Sequence, residues 1–316
     1  MTTTFKNKQD VNVLFMGTPI FAAKVLEALI AASFNVVGVI TQEDKAVGRK
    51  KILTPSPAKV VALEHNIPVF QPHRIRLDFE FAKTINFDVI VTAAYGQLIP
   101  EELIALARYG AYNLHGSLLP SYRGAAPIQR AIMAGNKETG ITLMEMVAAM
   151  DAGKMYEKSY VEITKDDDFT SLNLKLAEAA GNLIVKDLLP LANGEIIGEE
   201  QDESQVSIAK KIKPEHEHLP LELLTASQAC CYVRGLSEEP GAYVLLEDKK
   251  LKIYRAEEVN SPSLQPFEAV CDKKHLYCGT ASGTISLLDV QLDGKKRMNI
   301  SSFLCGARLE GHFLLK

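Results

Sequence analysis

The sequence predicts an α/β protein in two parts: a Rossmann-like, mostly parallel sheet, followed by a small OB-like β-barrel. Three observations predict it. Short, almost wholly apolar runs alternate with stretches of helical spacing up to about residue 116, as in a parallel sheet covered on both faces. After the acidic stretch GEEQDESQ (198–205) the texture changes to short strands and one short helix. A length of 316 residues suggests about two domains. The expected partition is 1–197, a linker at 198–206, and a barrel over 207–316.

Taken in order, VNVLFMGTP (11–19) is a buried strand running into a glycine turn. IFAAKVLEALIAA (20–32) has helical spacing, with Pro19 suited to a first turn. NVVGVIT (35–41) is the next strand, and QEDKAVGRKKILTPSP (42–57) is a basic loop. Helices are expected at 57–66 and 77–86, on either side of a short strand at PVFQP. DVIVTAAY (88–95) is a strand, PEELIALA (100–107) a helix, and AYNLHG (111–116) a strand. A helix at 126–134 precedes two paired strands, TGITLMEMV and KMYEKSYVEI, and a long helix at 170–192 follows. In the last part GAYVLLEDKKLKIYRAEEV is a hairpin turning at Glu247-Asp248-Lys249-Lys250, with more strands to about residue 292.

Composition narrows the partners. The formal net charge is -4, so a nucleic-acid partner must be met by a local basic surface. Three runs offer one: Lys45, Arg49, Lys50 and Lys51; Lys210, Lys211 and Lys213; and Lys295, Lys296 and Arg297. Each alone is an ordinary solvated loop, but three runs over two domains favour a large polyanion over a nucleotide. The five cysteines all lie in the last third, without a C-x-x-C, and suit reduced, buried thiols of a cytosolic protein. Cys271, His275 and Cys278 match no usual zinc spacing, so no metal is expected. No apolar run reaches the ~18 residues of a membrane span, and no obligate protein partner is inferred. Only Gly17 stands where a dinucleotide fingerprint needs three glycines, which disfavours NAD.

Three polar side chains stand out: Asn113, His115 and Asp151. Asn113 and His115 fall at the carboxyl end of a strand, where such sheets place ligands. Both can donate hydrogen bonds to an oxyanion, and a carboxylate fixes an imidazole ring, so the set suits attack on a carbonyl. Each also has a plain structural use: a histidine pinned at a strand end, an asparagine capping a turn, an aspartate in a turn. Ser117 lacks the Gly-x-Ser-x-Gly elbow of a serine hydrolase.

The segments Asn113-x-His115, HGSLLPSYRGAAPIQ and MDAGKM resemble the active-site segments of folate-dependent formyltransferases. GTPIFAAKVLEAL, TQEDKAVGRKK, PSPAKV and AAYGQLIP resemble the branch of that family acting on methionyl-tRNA. The resemblance is strong over residues 11–195. Beyond them it rests on length, position and LDGKKRM, and the chain lacks the tryptophan that often follows the lysine-rich junction. It implies transfer of a formyl group from 10-formyltetrahydrofolate to the α-amino group of initiator methionyl-tRNA. Asn113 and His115 would hold the formyl oxygen, and Asp151 would orient His115 and manage protons. Ser117, Leu118, Leu119 and Pro120 would line the folate pocket, and the backbone at Tyr95, Gly96, Gln97 and Leu98 would contact the pterin. Lys45, Arg49, Lys50, Lys51, Lys210, Lys211, Lys295, Lys296 and Arg297 would meet tRNA. The alternatives are a formyltransferase acting on an amino sugar nucleotide and a non-catalytic nucleic-acid-binding protein.

Overall fold

The computed structural model describes residues 4–48, 50–307 and 309–316. Arg49, one of the expected tRNA contacts, lies outside the described residues. Two compact units are distinguished. The first runs to Gly124 and includes Glu138–Glu162 and Asn173–Ile208; the second holds Ala125–Lys137, Ile163–Leu172 and Ala209–Lys316.

The first unit opens with β1 (Asn12–Gly17), α1 (Ile20–Ala31) and β2 (Asn35–Ile40). A Cβ at Gly17 would strike Ala22 and the Ala93 carbonyl, so the strand-to-helix turn there requires glycine. The basic loop is built as a hairpin, β3 (Lys45–Val47) with β4 (Ile52–Thr54), every residue of both strands exposed. Then come α2 (Pro57–Glu64), whose Ser56 cap accepts from the Lys59 N–H, and β5 (Val69–Phe70). Two expected helices are cut short. Residues 77–86 form only a 3-10 turn at Glu80–Thr84, whose Phe81 stacks on Phe70 at 4.8 Å. After β6 (Val89–Ala93), α3 spans only Glu101–Ile104. The chain must then deliver Tyr109 N–H to the Asp88 carbonyl and lead into the next strand.

That strand is β7 (Ala111–His115), followed by α4 (Pro127–Met133), which belongs to the second unit, and by the antiparallel pair β8 (Glu138–Glu145) and β9 (Met155–Glu162). The helix α5 (Phe169–Ala192) follows. The sheet order is β5-β2-β1-β6-β7-β8-β9. Pairing is parallel from β5 to β7 and antiparallel beyond it. Because Met16 pairs with Ile40, Gly17 with Ala93 and Thr92 with Asn113, the carboxyl ends of β1, β2, β6 and β7 share one edge. Residues 198–206, expected as a linker, lie within this unit and bond to it as described below.

In the second unit α6 (Ala226–Leu236) starts from a Thr225–Gln228 capping box. The strands are β10 (Ala242–Leu246), β11 (Lys249–Val259), β12 (Glu268–Cys271), β13 (Leu276–Gly279), β14 (Thr284–Leu292) and β15 (Met298–Asn299). Last come α7 (Ile300–Ala307) and β16 (Gly311–Leu314). The hairpin turn is tighter than expected. Only Glu247 and Asp248 form it, both at positive φ (47° and 63°), while Lys249 and Lys250 pair back onto Leu246 and Leu245. The antiparallel order β10-β11-β14-β13-β12-β16 curls on itself, and Leu245 and Lys316 exchange two main-chain hydrogen bonds across the seam. The OB-like expectation describes this curled sheet. Its interior is apolar, with Val233, Val244, Ile253, Leu276 and Leu287 almost fully buried.

Candidate active site

Asn113 and His115 are two apart on β7 and therefore share one face of the sheet. Their cross-strand partners on β8, Met144 and Thr142, lie on the same face. Thr142 sets the loop that follows. Its hydroxyl donates to the Ser117 carbonyl at 2.7 Å and accepts from the Leu119 N–H at 3.0 Å. Lys158 donates to the Leu119 carbonyl at 2.6 Å, a charge-assisted bond. Ser117 and Leu119 are buried, and the Ser117 hydroxyl donates to the Ser121 carbonyl. Of the four residues expected to line a folate pocket, these two fix the loop, while Leu118 and Pro120 are partly exposed. A Cβ at Gly140 would collide with the Leu118 side chain, so that glycine makes the seat for the loop.

His115 is buried, and its Nε2 lies 2.9 Å from the Tyr122 carbonyl oxygen. A carbonyl only accepts, so Nε2 carries a proton. Nδ1 faces Asp151 Oδ1 at 3.6 Å. The other Asp151 oxygen accepts the Gly124 N–H at 2.8 Å. Asp151 and Tyr122 both hold left-handed backbone, φ 52° and 62°, which non-glycine residues keep only where their surroundings impose it. Asn113 differs: among the described residues its carboxamide has no partner, and it is only half-buried. Of the two expected oxyanion donors, Asn113 is ready as it stands. His115 must share or exchange its bond to Tyr122.

The segment before 209 supplies contacts that the sequence reading missed. Gln201 donates to the carbonyls of Asp151 and Gly153, both at 2.8 Å, and accepts from Arg123 Nε at 2.9 Å. Arg123 also meets Glu203 at 2.7 Å. Ser207 accepts the N–H groups of Tyr122 and Arg123, and Glu199 exchanges two bonds with Met155. Polar residues in an acidic stretch read as a linker, and no spacing in the sequence marks them as partners of Asp151.

At the end of β6 the Tyr95 carbonyl accepts from Thr18 and from Gln42. Its ring is buried, and burial pushes the phenol up to about 12. The Gln97 side chain is taken up by Ile75 N–H and the His73 carbonyl. Among the described residues the main-chain N–H and C=O groups of Gly96, Gln97 and Leu98 have no protein partner.

Lys45, Lys50, Lys51, Lys210, Lys211, Lys295 and Lys296 are all exposed. Arg297 is engaged. It pairs with Glu238 at 2.8 Å and Asp289 at 2.6 Å, lies over the Tyr254 ring, and is raised above the usual arginine value chiefly by its bond to Asp289. No His, Cys, Asp and Glu group able to hold a metal occurs among the described residues. No helix among them is long and apolar enough to cross a membrane.

The sequence matches the family profile described as Formyl transferase over residues 10–188, and Formyl transferase, C-terminal domain, over 211–308. Curated relatives include the methionyl-tRNA formyltransferase of Lactiplantibacillus plantarum, 44% identical over 304 residues, covering 94% of this chain and 95% of that one. That of Bacillus subtilis is 42% identical over 303 residues, covering 94% and 95%. Among solved structures, the N-formyltransferase from Helicobacter canadensis in complex with folinic acid and dTDP-3-aminofucose has a TM-score of 0.68 at 16% identity, covering 89% of this chain and 99% of that one. Methionyl-tRNA formyltransferase from Clostridium thermocellum has 0.56 at 18% identity, covering 89% and 98%. At these identities the solved structures report the shared fold.

Proposed function

We propose, for a chain that belongs to the formyl transferase family, that it formylates the α-amino group of initiator methionyl-tRNA with 10-formyltetrahydrofolate as donor. The observation that carries this reading is identity above 40% to methionyl-tRNA formyltransferases across both parts of the chain. It does not favour the amino-sugar alternative, whose solved examples share the fold at 16% identity.

The folate supplies the activated formyl group. The residues fit such a co-substrate: main-chain donors and acceptors at Gly96–Leu98, unpaired among the described residues, suit the hydrogen-bonding edge of a pterin, and the half-buried Asn113 amide, also unpartnered among them, shares a sheet face with His115. Asn113 donates to the formyl oxygen as negative charge gathers there, and His115 adds a second donor by giving up its bond to Tyr122. Asp151 would orient His115 and help pass the proton lost by the attacking amine to the folate nitrogen, which leaves with the electron pair of the broken formyl carbon–nitrogen bond. The Ser117–Pro120 loop, pinned by Thr142 and Lys158, keeps the two reactants in attack geometry. No metal enters this scheme.

For tRNA we assign Lys45, Lys50 and Lys51 of the β3–β4 hairpin, with Lys210, Lys211, Lys295 and Lys296, and Arg49, which lies outside the described residues; Arg297, held by Glu238 and Asp289, is the weakest of the expected contacts. Residues 1–197 carry the chemistry, 198–206 connect while bonding back onto the first unit, and 207–316 bind tRNA, in a cytoplasmic enzyme. The test is formylation by the purified protein with 10-formyltetrahydrofolate, offered initiator methionyl-tRNA, elongator methionyl-tRNA and a dTDP-amino sugar. Initiator tRNA should be the acceptor; turnover with the sugar alone would overturn the reading.

A further inference from the structure

We infer that Gln201 is a positioning residue for Asp151, holding the left-handed turn that aims the carboxylate at His115. The inference rests on the functional reading above only where it concerns turnover.

The argument starts from strain. Asp151 sits at φ 52°, a conformation that a side chain with a Cβ abandons unless it is tied. Its carboxylate has one bond, from Gly124 N–H, and faces His115 at 3.6 Å without a formal hydrogen bond. The tie on its main chain is Gln201, whose buried amide nitrogen bridges the carbonyls of Asp151 and Gly153. The bridge spans the turn and fixes the direction of both peptide planes.

Gln201 is itself held. Its carbonyl oxygen accepts from Arg123 Nε, and the guanidinium is anchored by Glu203. Arg123 adjoins Tyr122 and Gly124, whose carbonyl and N–H contact His115 and Asp151 respectively. One amide therefore links the two corners that carry the histidine–carboxylate pair. A glutamine is required by type: the nitrogen must donate to two carbonyls while the oxygen accepts from arginine. Leucine fills the space and does neither.

The experiment uses the full chain. Gln201→Leu should lower kcat by about 10²-fold, the effect of a misplacement near 1 Å, with both KM values within about twofold of wild type. Added to Asp151→Asn, it should cost no more than about a further twofold, because it acts through that residue. The imidazole NMR signals of His115 should move in Gln201→Leu in the direction they move in Asp151→Asn. That comparison needs no substrate, so it stands if the protein formylates some other acceptor. If Gln201→Leu does not fold, Gln201→Glu keeps the acceptor for Arg123, replaces the donor by a charged oxygen that repels both carbonyls, and should behave alike. Wild-type turnover in a folded variant, a loss that multiplies fully onto Asp151→Asn, or unmoved His115 signals would each overturn the inference.

Discussion

Asp151 and His115 stand 3.6 Å apart, carboxylate oxygen to Nδ1, close enough for charge to matter and too far for a hydrogen bond. The ring's other nitrogen is committed to the Tyr122 carbonyl at 2.9 Å. The pair is thus held short of full engagement, with Asn113 free beside it.

Asn113→Ala should therefore lower kcat by roughly 10²–10³-fold with little change in thermal stability, since the amide bonds to nothing in the described structure. His115→Ala should cost about 10²–10⁴-fold. Asp151→Asn is the better test of the carboxylate, because asparagine tolerates φ near 52°. Combined losses should fall well short of the product. Steady-state kinetics beside melting curves decide it; near-normal turnover of folded His115→Ala would remove that residue from the mechanism.

The salt dependence of tRNA use should separate the basic residues. Neutralising exposed Lys50 and Lys51 together should reduce the log–log salt slope by about 0.7–0.9 per lost phosphate contact. Arg297→Ala should leave it nearly unchanged, because Glu238 and Asp289 already take that charge. The measurement is kcat/KM against salt for each variant. An Arg297→Ala slope that falls as far as the lysine variant's would show the arginine trading its carboxylates for phosphate.

Gly235→Val should destabilise the second unit by about 1–3 kcal/mol, the usual cost of overpacking. A side chain at that point of α6 would press on Met133 and on the Gln129 carbonyl of α4. Urea unfolding should show a lower midpoint; an unchanged one would mean the two helices part easily.

Alkali should loosen the fold. Burial, reinforced by Cys231, pushes the Cys230 thiol up to about 12 from 9.0, and burial does the same to Cys278. Above pH 9 the unfolded chain releases these protons while the folded chain keeps them, so stability falls as pH rises from 9 towards 12. Tyr95 adds to the loss above 10. Urea midpoints at about pH 8 and about pH 10.5 should differ in that sense, and alanine at Cys230 and Cys278 should narrow the gap.

The buried strands are legible in sequence because both faces are covered, so β1, β2 and β6 read as almost wholly apolar runs. Asn113 and His115 are legible because polar side chains two apart interrupt such a run on one face. Where local pattern is weak, reading stops. The strands of the β3–β4 hairpin are three residues each and bury nothing, with Val47, Ile52 and Leu53 exposed by more than half. Nothing in its composition separates it from a loop. Gln201 and Glu203 look like solvated linker residues until the chain brings them to Arg123 across about 80 positions. Asp151 is grouped with His115 in the sequence by residue type alone and takes its role from the family resemblance, since a turn aspartate carries no local mark of its partner.

The unpaired peptide groups of Gly96–Leu98 have a genetic corollary. If a ligand edge is read there by the main chain, as proposed above, it is indifferent to the Leu98 side chain, and alanine at Leu98 passes over it, whereas Gln97 also ties the segment to Ile75 and His73. Lineages could drift at Leu98 without losing the proposed contact. What they cannot accept is a change in the path of the chain. Gly96, at φ 87° with the Gln42 amide where a Cβ would go, is where that path is set, and the mutational record of the subsite should be written in that one residue.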